Sequence, residues 1–323
     1  MLSSCDDYQA TKNCKSEERK TPEQQRTATE GACNIAGDIA RAVAVLTAGE
    51  ERTIESDEPG VYPLNGKKGR VLIINNSFYD ENRDENPSSR KPACDKDVDN
   101  MVNLWRILGC DLYEGKAHLD KSAEEMRTLL KGISRISKNH CSFVVIIIMT
   151  HGNLLKDESE KQEIEVLYGN NGETDYIKRK EIDNMFQNDV AVSLQGIPKF
   201  FIYQCCRGKI HMEAIDSQIE TDDIETDGIT VPIFSDIVTI NSTLPGHIAY
   251  KDGDGSLLIT SINTIFRKHG RKKHVLDLLT MVNSEMLKNL RSYRQSHQSL
   301  ETILIKPMSV LESCLVKHFY LTE

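Results

Sequence analysis

Seven consecutive apolar residues, Phe143-Val144-Val145-Ile146-Ile147-Ile148-Met149, leave this chain few folds to choose from. The run is far shorter than the roughly 20 residues of a membrane-spanning helix. It is rich in β-branched side chains, which favour a strand over a helix. Successive side chains of a strand point to opposite faces. A strand with no polar face must therefore be covered on both sides, as strands of a parallel sheet are.

The surrounding pattern supplies the covering layers. Val71-Leu72-Ile73-Ile74 and Phe200-Phe201-Ile202-Tyr203 read as further buried strands. Between them, Val98, Met101, Val102, Trp105 and Leu108 mark one face of an amphipathic helix. A second helix opens with Ser122 and Glu125 spaced as a capping box, and its apolar face is Met126, Leu129, Leu130, Ile133 and Ile136. Gly169-Asn170-Asn171-Gly172 is a turn sequence inside a predicted hairpin at 164–173, followed by a helix at 178–187. Strands alternating with helices indicate an α/β fold with a mainly parallel central sheet flanked by helices.

Order is expected from about Arg70. Residues 1–65 read as a flexible leader, with one short helical face at Ile35, Ile39, Val43 and Leu46. The stretch from Lys209 to Val231 is acidic, lacks aromatic residues and has no periodic apolar face, as an exposed linker does. Beyond it, strands are expected near 234–240, 246–250 and 315–321, with helices near 256–268 and 275–290. This C-terminal part has no separate core and should extend the same sheet.

Composition narrows the function. At 323 residues and 39% hydrophobic, the chain can bury a sizeable core. A net charge of −9 argues against nucleic acid as the main partner. The basic cluster from Arg267 to His274 reads as a solvated helix end. No signal peptide or membrane span is apparent, so the expected compartment is the cytosol. The nine cysteines, at 5, 14, 33, 94, 110, 141, 205, 206 and 314, have neither zinc-ligand spacing nor the even count of a disulfide framework. They read as reduced thiols. No metal or cofactor is expected, and the glycosylation sequons at Asn75 and Asn241 carry no meaning in that compartment.

Sites in such sheets form at the carboxyl ends of strands. His151 and Gly152 directly follow one buried strand, and Gln204-Cys205-Cys206 ends another. A free thiol is only a few per cent thiolate at neutral pH, so it needs a base or a cation beside it. Imidazole can take that proton and return it to a leaving amine. Cys206 is the candidate nucleophile, His151 its acid/base partner, and the N–H groups of Gly152 and Cys206 the candidate oxyanion donors. Cys205, its strand neighbour, should pack inward.

Gln204-Cys205-Cys206-Arg207-Gly208 resembles the Gln-Ala-Cys-(Arg/Gln/Gly)-Gly motif of the caspases, whose histidine lies about 50 residues upstream. The resemblance runs from about Arg70 to the C-terminus. Ile73-Ile74-Asn75-Asn76 is similar to the family's first strand, and Asp95-Lys96-Asp97 to the start of its first helix. Thr150-His151-Gly152 resembles its Ser-His-Gly. Ser242-Thr243-Leu244-Pro245-Gly246 resembles its Ser-Thr-x-Pro-Gly. The resemblance implies a three-layer sandwich around a six-stranded sheet. It also implies an endopeptidase cutting proteins after aspartate, made as a zymogen, acting in apoptosis.

The substrate pocket departs from the family pattern. Gln204 is present, but Lys251 stands where an arginine is expected, and Tyr250 where a tryptophan is. Lys91 falls at the second arginine position, or Arg90 with a small gap. Lysine is a point charge, whereas arginine grips a carboxylate with a planar fork. The pocket should stay anion-selective while relaxing towards glutamate.

The resemblance also implies processing. Ile224-Glu225-Thr226-Asp227 resembles a cleavage sequence between caspase subunits, with Asp216 and Asp222 as further linker sites and Asp57 as a leader-removal site. The implied parts are a leader at 1–65, a large subunit at 66–227 and a small subunit at 228–323. The implied partners are protein substrates with an acidic residue before the cut, a second copy forming a dimer of subunit pairs, an upstream caspase and inhibitor proteins. Leu315–Tyr320 is similar to the family's final strand. Two alternatives stand beside this reading: a caspase-like pseudoenzyme that regulates a true caspase, and a protease specific for basic residues, which the basic pocket disfavours.

Overall fold

The apolar run becomes β4 (Val144–Met149), and all six of its residues are buried. The structure is a computed structural model describing residues 59–77, 91–157, 162–208, 232–249, 251–288, 291–294, 302–305 and 308–323. These lie within one unit, Pro59–Glu323. The helical face at 35–46 falls outside the described residues.

In chain order, the remaining main-sheet strands are β1 (Arg70–Asn75), β2 (Asp111–Leu112), β3 (His118–Leu119), β8 (Lys199–Gln204), β9 (Ile237–Asn241) and β14 (Val310–Ser313). An antiparallel side sheet comprises β5 (Gly152–Asp157), β6 (Gln162–Tyr168) and β7 (Tyr176–Lys178). Two small hairpins pair β10 (Lys251–Asp252) with β11 (Gly255–Ser256), and β12 (Arg291–Arg294) with β13 (Thr302–Ile305). The helices are α1 (Lys91–Ile107), α2 (Ala123–Ser134), α3 (Arg179–Met185), α4 (Leu257–His269) and α5 (Val275–Lys288).

The main sheet runs β14-β9-β8-β4-β1-β2, with β3 also paired to β1. It is thus six positions wide and seven-stranded, because β2 pairs with Arg70 and Val71 while β3 pairs with Ile74 and Asn75 on the same edge. All pairings are parallel except β14 with β9. The residues after the expected linker therefore extend the sheet, as their lack of a separate core suggested.

Strand alternation divides the core in two. Val71, Ile73, Val145, Ile147, Phe200 and Ile202 face α1, α4 and α5. Leu72, Ile74, Val144, Ile146, Ile148 and Phe201 face α2 and α3. Each fully buried side chain of this kind contributes about 1.5–3 kcal/mol. Trp105 of α1 lies edge-on to Phe200 and Phe266, at 6.3 and 6.2 Å between ring centres. The cap of α2 forms as its sequence requires: the Glu125 N–H donates to Ser122 Oγ at 3.2 Å, and the Ser122 N–H to Glu125 Oε2 at 2.8 Å.

Three expectations need correction. First, packing starts before Arg70. Val61 bridges His318, and Tyr62 enters the core, donating its hydroxyl to Asp236 Oδ1 at 2.6 Å. Second, 246–250 contains no extended strand among its described residues; Pro245-Gly246 makes a turn with φ +81° at the glycine, and β10 begins at Lys251. Third, the last sheet strand is β14 at 310–313, not 315–321. Phe319 and Leu321 are spent on the core instead, with the Phe319 ring 5.0 Å from that of Phe143. The turn at Gly169–Gly172 forms between β6 and β7, with Gly172 at φ +97°. The cluster from Arg267 does occupy the exposed end of α4.

Candidate active site

Two neighbouring parallel strands deliver the two candidate catalytic residues to one end of the sheet. Met149 of β4 is opposite Gln204 of β8, and the Thr150 N–H continues the ladder to the Gln204 carbonyl at 3.1 Å. His151 and Cys206 each stand two residues past that matched pair. Both are half-buried. The backbone around the histidine is fixed from the side sheet: the Tyr168 N–H donates to the His151 carbonyl at 2.9 Å, and Thr150 Oγ1 to the Tyr168 carbonyl at 2.7 Å.

Gly152 then passes against the backbone of Cys206. A Cβ there would lie 2.3 Å from the Cys206 carbonyl oxygen and 3.2 Å from Cys205 Cβ. Cys206 Sγ accepts the Ala249 N–H at 3.4 Å. Gly208 closes the motif at φ +150°, with Gly246 so near that a Cβ would sit 2.3 Å from its carbonyl oxygen. The two glycines let segments 206–208 and 246–247 run together, joined by the Arg207 N–H to the His247 carbonyl at 2.9 Å and the Gly246 N–H to the Arg207 carbonyl at 2.7 Å.

The neighbouring cysteines differ chemically. Cys205 is 7% exposed, its backbone held on both sides by the Ser242 hydroxyl. Burial, with a smaller contribution from Cys206, pushes its thiol up to about 12. Cys205 is therefore a packed, protonated thiol. The side chain of Arg207, also buried, donates its Nε to Glu165 Oε1 at 2.9 Å and Nη1 to the Thr243 carbonyl at 3.4 Å. That ion pair ties β6 to the segment that carries Cys206.

The pocket candidates separate. Gln204 is 5% exposed, and its Oε1 has no hydrogen-bond partner among the described residues. The Lys251 ammonium lies 3.0 Å from Asp97 Oδ2 and 3.1 Å from Cys94 Sγ. Burial alone would lower its pKa, but Asp97 and Cys94 outweigh this and hold it above the ordinary lysine value. Lys91 is an exposed residue at the start of α1. Arg90, Tyr250, Asp57, Asp216, Asp222 and Asp227 lie outside the described residues. Asp97, Cys94 and Glu165 were not singled out as site residues from sequence; the one available signal was the Asp95-Lys96-Asp97 motif. Among the described residues, no cluster of His, Cys, Asp and Glu is arranged to hold a metal ion, and no helix is long and apolar enough to cross a membrane.

The caspase-domain family profile matches residues 68–313. Caspase-7 of Gallus gallus is 29% identical over 266 residues, covering 80% of this chain and 79% of that protein. Caspase-3 of Oryctolagus cuniculus is 31% identical over 229 residues, covering 70% and 74%. In three dimensions, the crystal structure of caspase-1 from Spodoptera frugiperda superposes with a TM-score of 0.66 at 19% identity, covering 83% of this chain and 95% of that one, which speaks to the fold. With a domain match across most of its length and a fold to suit, the chain belongs to the caspase family of cysteine-type endopeptidases.

Proposed function

We propose that this protein cleaves proteins after acidic residues, aspartate foremost and glutamate tolerated, with Cys206 as nucleophile and His151 as acid/base. The observation that carries the reading is the meeting of three elements: β4 and β8 end in register, and Gly152 packs on the Cys206 backbone. In the proposed reaction, the Cys206 thiolate attacks the scissile carbonyl and the imidazole holds the proton. The N–H groups of Gly152 and Cys206 stabilise the resulting oxyanion, a contribution of about 3–4 kcal/mol per donor in comparable sites. The imidazolium then protonates the departing amine. Water, deprotonated by the same imidazole, hydrolyses the thioester and regenerates the thiol.

Lys251 and Gln204 are the pocket residues in this reading, with Lys91 or Arg90 and Tyr250 completing it. Activation proceeds by cutting after Asp227, with Asp216, Asp222 and Asp57 as further sites. The parts are a leader ending at Asp57, a large subunit at 58–227 that includes the packed Val61 and Tyr62, and a small subunit at 228–323, and two subunit pairs associate as a dimer in a cytoplasmic, apoptotic setting. A second reading, a caspase-like regulator without turnover, draws support from the engagement of Lys251 by Asp97, which leaves the pocket cation less available.

The test compares wild type with Cys206→Ala for self-processing and for cleavage of Ile-Glu-Thr-Asp and Ile-Glu-Thr-Glu peptides. Loss of both activities in the variant is expected. Turnover surviving the substitution would remove Cys206 from its role. Covalent capture of Cys206 by an aspartyl electrophile, without peptide turnover, would favour the regulator.

A further inference from the structure

A lysine is a poor substitute for an arginine in a carboxylate pocket unless something holds it still. Its ammonium rides on a flexible four-carbon tail, whereas a guanidinium fork is pre-organised. Lys251 is held. Its Nζ is 3.0 Å from Asp97 Oδ2 and 3.1 Å from Cys94 Sγ, on successive turns of the same face of α1, and its side chain remains 23% exposed. Asp97 is itself anchored: it is fully buried and accepts the Ser256 N–H at 2.8 Å and the Ser256 hydroxyl at 2.6 Å. The hairpin from β10 to β11 is pressed against it. Gly255, at φ +107°, comes so near that a Cβ would fall 2.6 Å from Asp97 Oδ1.

We propose that Asp97 is a positioning residue for substrate selection: it fixes the Lys251 ammonium so that the remaining donor capacity of that group meets the acidic side chain preceding the cut. The proposal rests on the reading of Lys251 as the pocket cation. An ammonium has three protons. Asp97 and Cys94 take two directions, which leaves one for a ligand. The rotational freedom of the lysine tail is removed before substrate arrives, so binding does not have to supply that ordering. The same carboxylate lowers the net charge a substrate meets. Selection by this pocket therefore depends on where the ammonium is, more than on its bare field.

The test uses the processed, active enzyme and three variants, Asp97→Asn, Lys251→Met and the double substitution, with peptides ending in Ile-Glu-Thr-Asp and Ile-Glu-Thr-Ala. Asp97→Asn should raise KM for the aspartyl peptide by about tenfold, the scale of one lysine's conformational freedom. The loss should fall on KM far more than on kcat. Lys251→Met should raise it at least as much, and the double variant no further than Lys251→Met alone. The ratio of KM for the aspartyl peptide to KM for the alanyl peptide should rise in all three, since the alanyl side chain offers the ammonium no carboxylate. Ser256→Ala, which removes one of the bonds holding Asp97, should move KM in the same direction by about threefold, the scale of one hydrogen bond, and serves if Asp97→Asn does not fold. Additive losses, or an Asp97→Asn enzyme with unchanged or lower KM while Lys251→Met loses its acid preference, would overturn the role of Asp97. A Lys251→Met enzyme that keeps its preference for the aspartyl peptide would instead remove the pocket reading beneath it.

Discussion

Gly152 and Cys206 make a backbone approach that no other residue at 152 would permit. A β-carbon there would stand 2.3 Å from the Cys206 carbonyl oxygen and 3.1 Å from that of Val166. Gly152→Ala must therefore push β5 away from the Cys206 segment. If the Gly152 N–H serves the oxyanion, kcat should fall about 10²–10³-fold, while iodoacetamide still alkylates Cys206. Normal peptide turnover by the alanine variant would show that neither the approach nor the donor matters.

The Glu165–Arg207 pair joins β6 to the residue beside Cys206, and both side chains are largely buried. Arg207 cannot reach water easily once its partner is gone. Glu165→Gln should destabilise the protein by about 3 kcal/mol, the lower end for a broken buried pair because Glu165 keeps some solvent contact. Urea unfolding measures the loss. The alkylation rate of Cys206 should change with it, since Arg207 is bonded through its backbone to His247 and Gly246 on either side. An unchanged midpoint would mean the pair contributes no more than a surface contact.

Cys205 and Cys206 should be separable by alkylation. Burial raises the Cys205 thiol to about 12, and that of Cys110 to about 12 as well. A raised thiol pKa means less thiolate at a given pH: at pH 8, about one part in ten thousand. Iodoacetamide at pH 8 should therefore modify Cys206 in the native protein and reach Cys205 and Cys110 only after denaturation. Peptide mass mapping reads the result. Native labelling of Cys205 at that pH would contradict its packing.

Sequence made the His151 and Cys206 end of the sheet legible because the signals there are local. The unbroken apolar runs ending at Met149 and Tyr203 announce buried strands, and a residue just past a buried strand has one end of the sheet to occupy. The cap at Ser122 and the turn at Gly169–Gly172 are equally local. What escaped was set by contacts between distant segments. Asp97 meets Lys251, and Glu165 meets Arg207, through pairings that no periodicity encodes. Arg179 lies 3.7 Å above the Tyr203 ring and donates to Asn241 at 2.9 Å for the same kind of reason. The edge strand was misplaced because apolar content does not distinguish a ladder from a core anchor. Leu311 pairs with Ile240, while Phe319 packs on Phe143 and accepts the Val275 N–H at 2.7 Å.

Lys199 gives a prediction at the other end of β8 from Cys206. It opens β8 with no exposed surface, and its ammonium is met by Asn188 Oδ1 at 3.2 Å and by the carbonyls of Leu194 and Ile197, each at 3.4 Å. Burial lowers its pKa from 10.5 to about 8, against the opposing pull of Asp236. A lysine depressed on folding is a cost at neutral pH, because the folded state must hold a charge that it disfavours. Between pH 8 and pH 10.5 the unfolded chain binds the proton and the folded protein sheds it, so this group's contribution to stability rises with pH across that window. Lys199→Met removes the titration and fills similar space. The stability of Lys199→Met relative to wild type should therefore decline by about 2 kcal/mol from pH 8 to pH 10. Urea unfolding of the two proteins in parallel cancels the titration of the tyrosines and the other thiols. A constant difference across that range would show that Lys199 keeps an ordinary pKa in the folded protein.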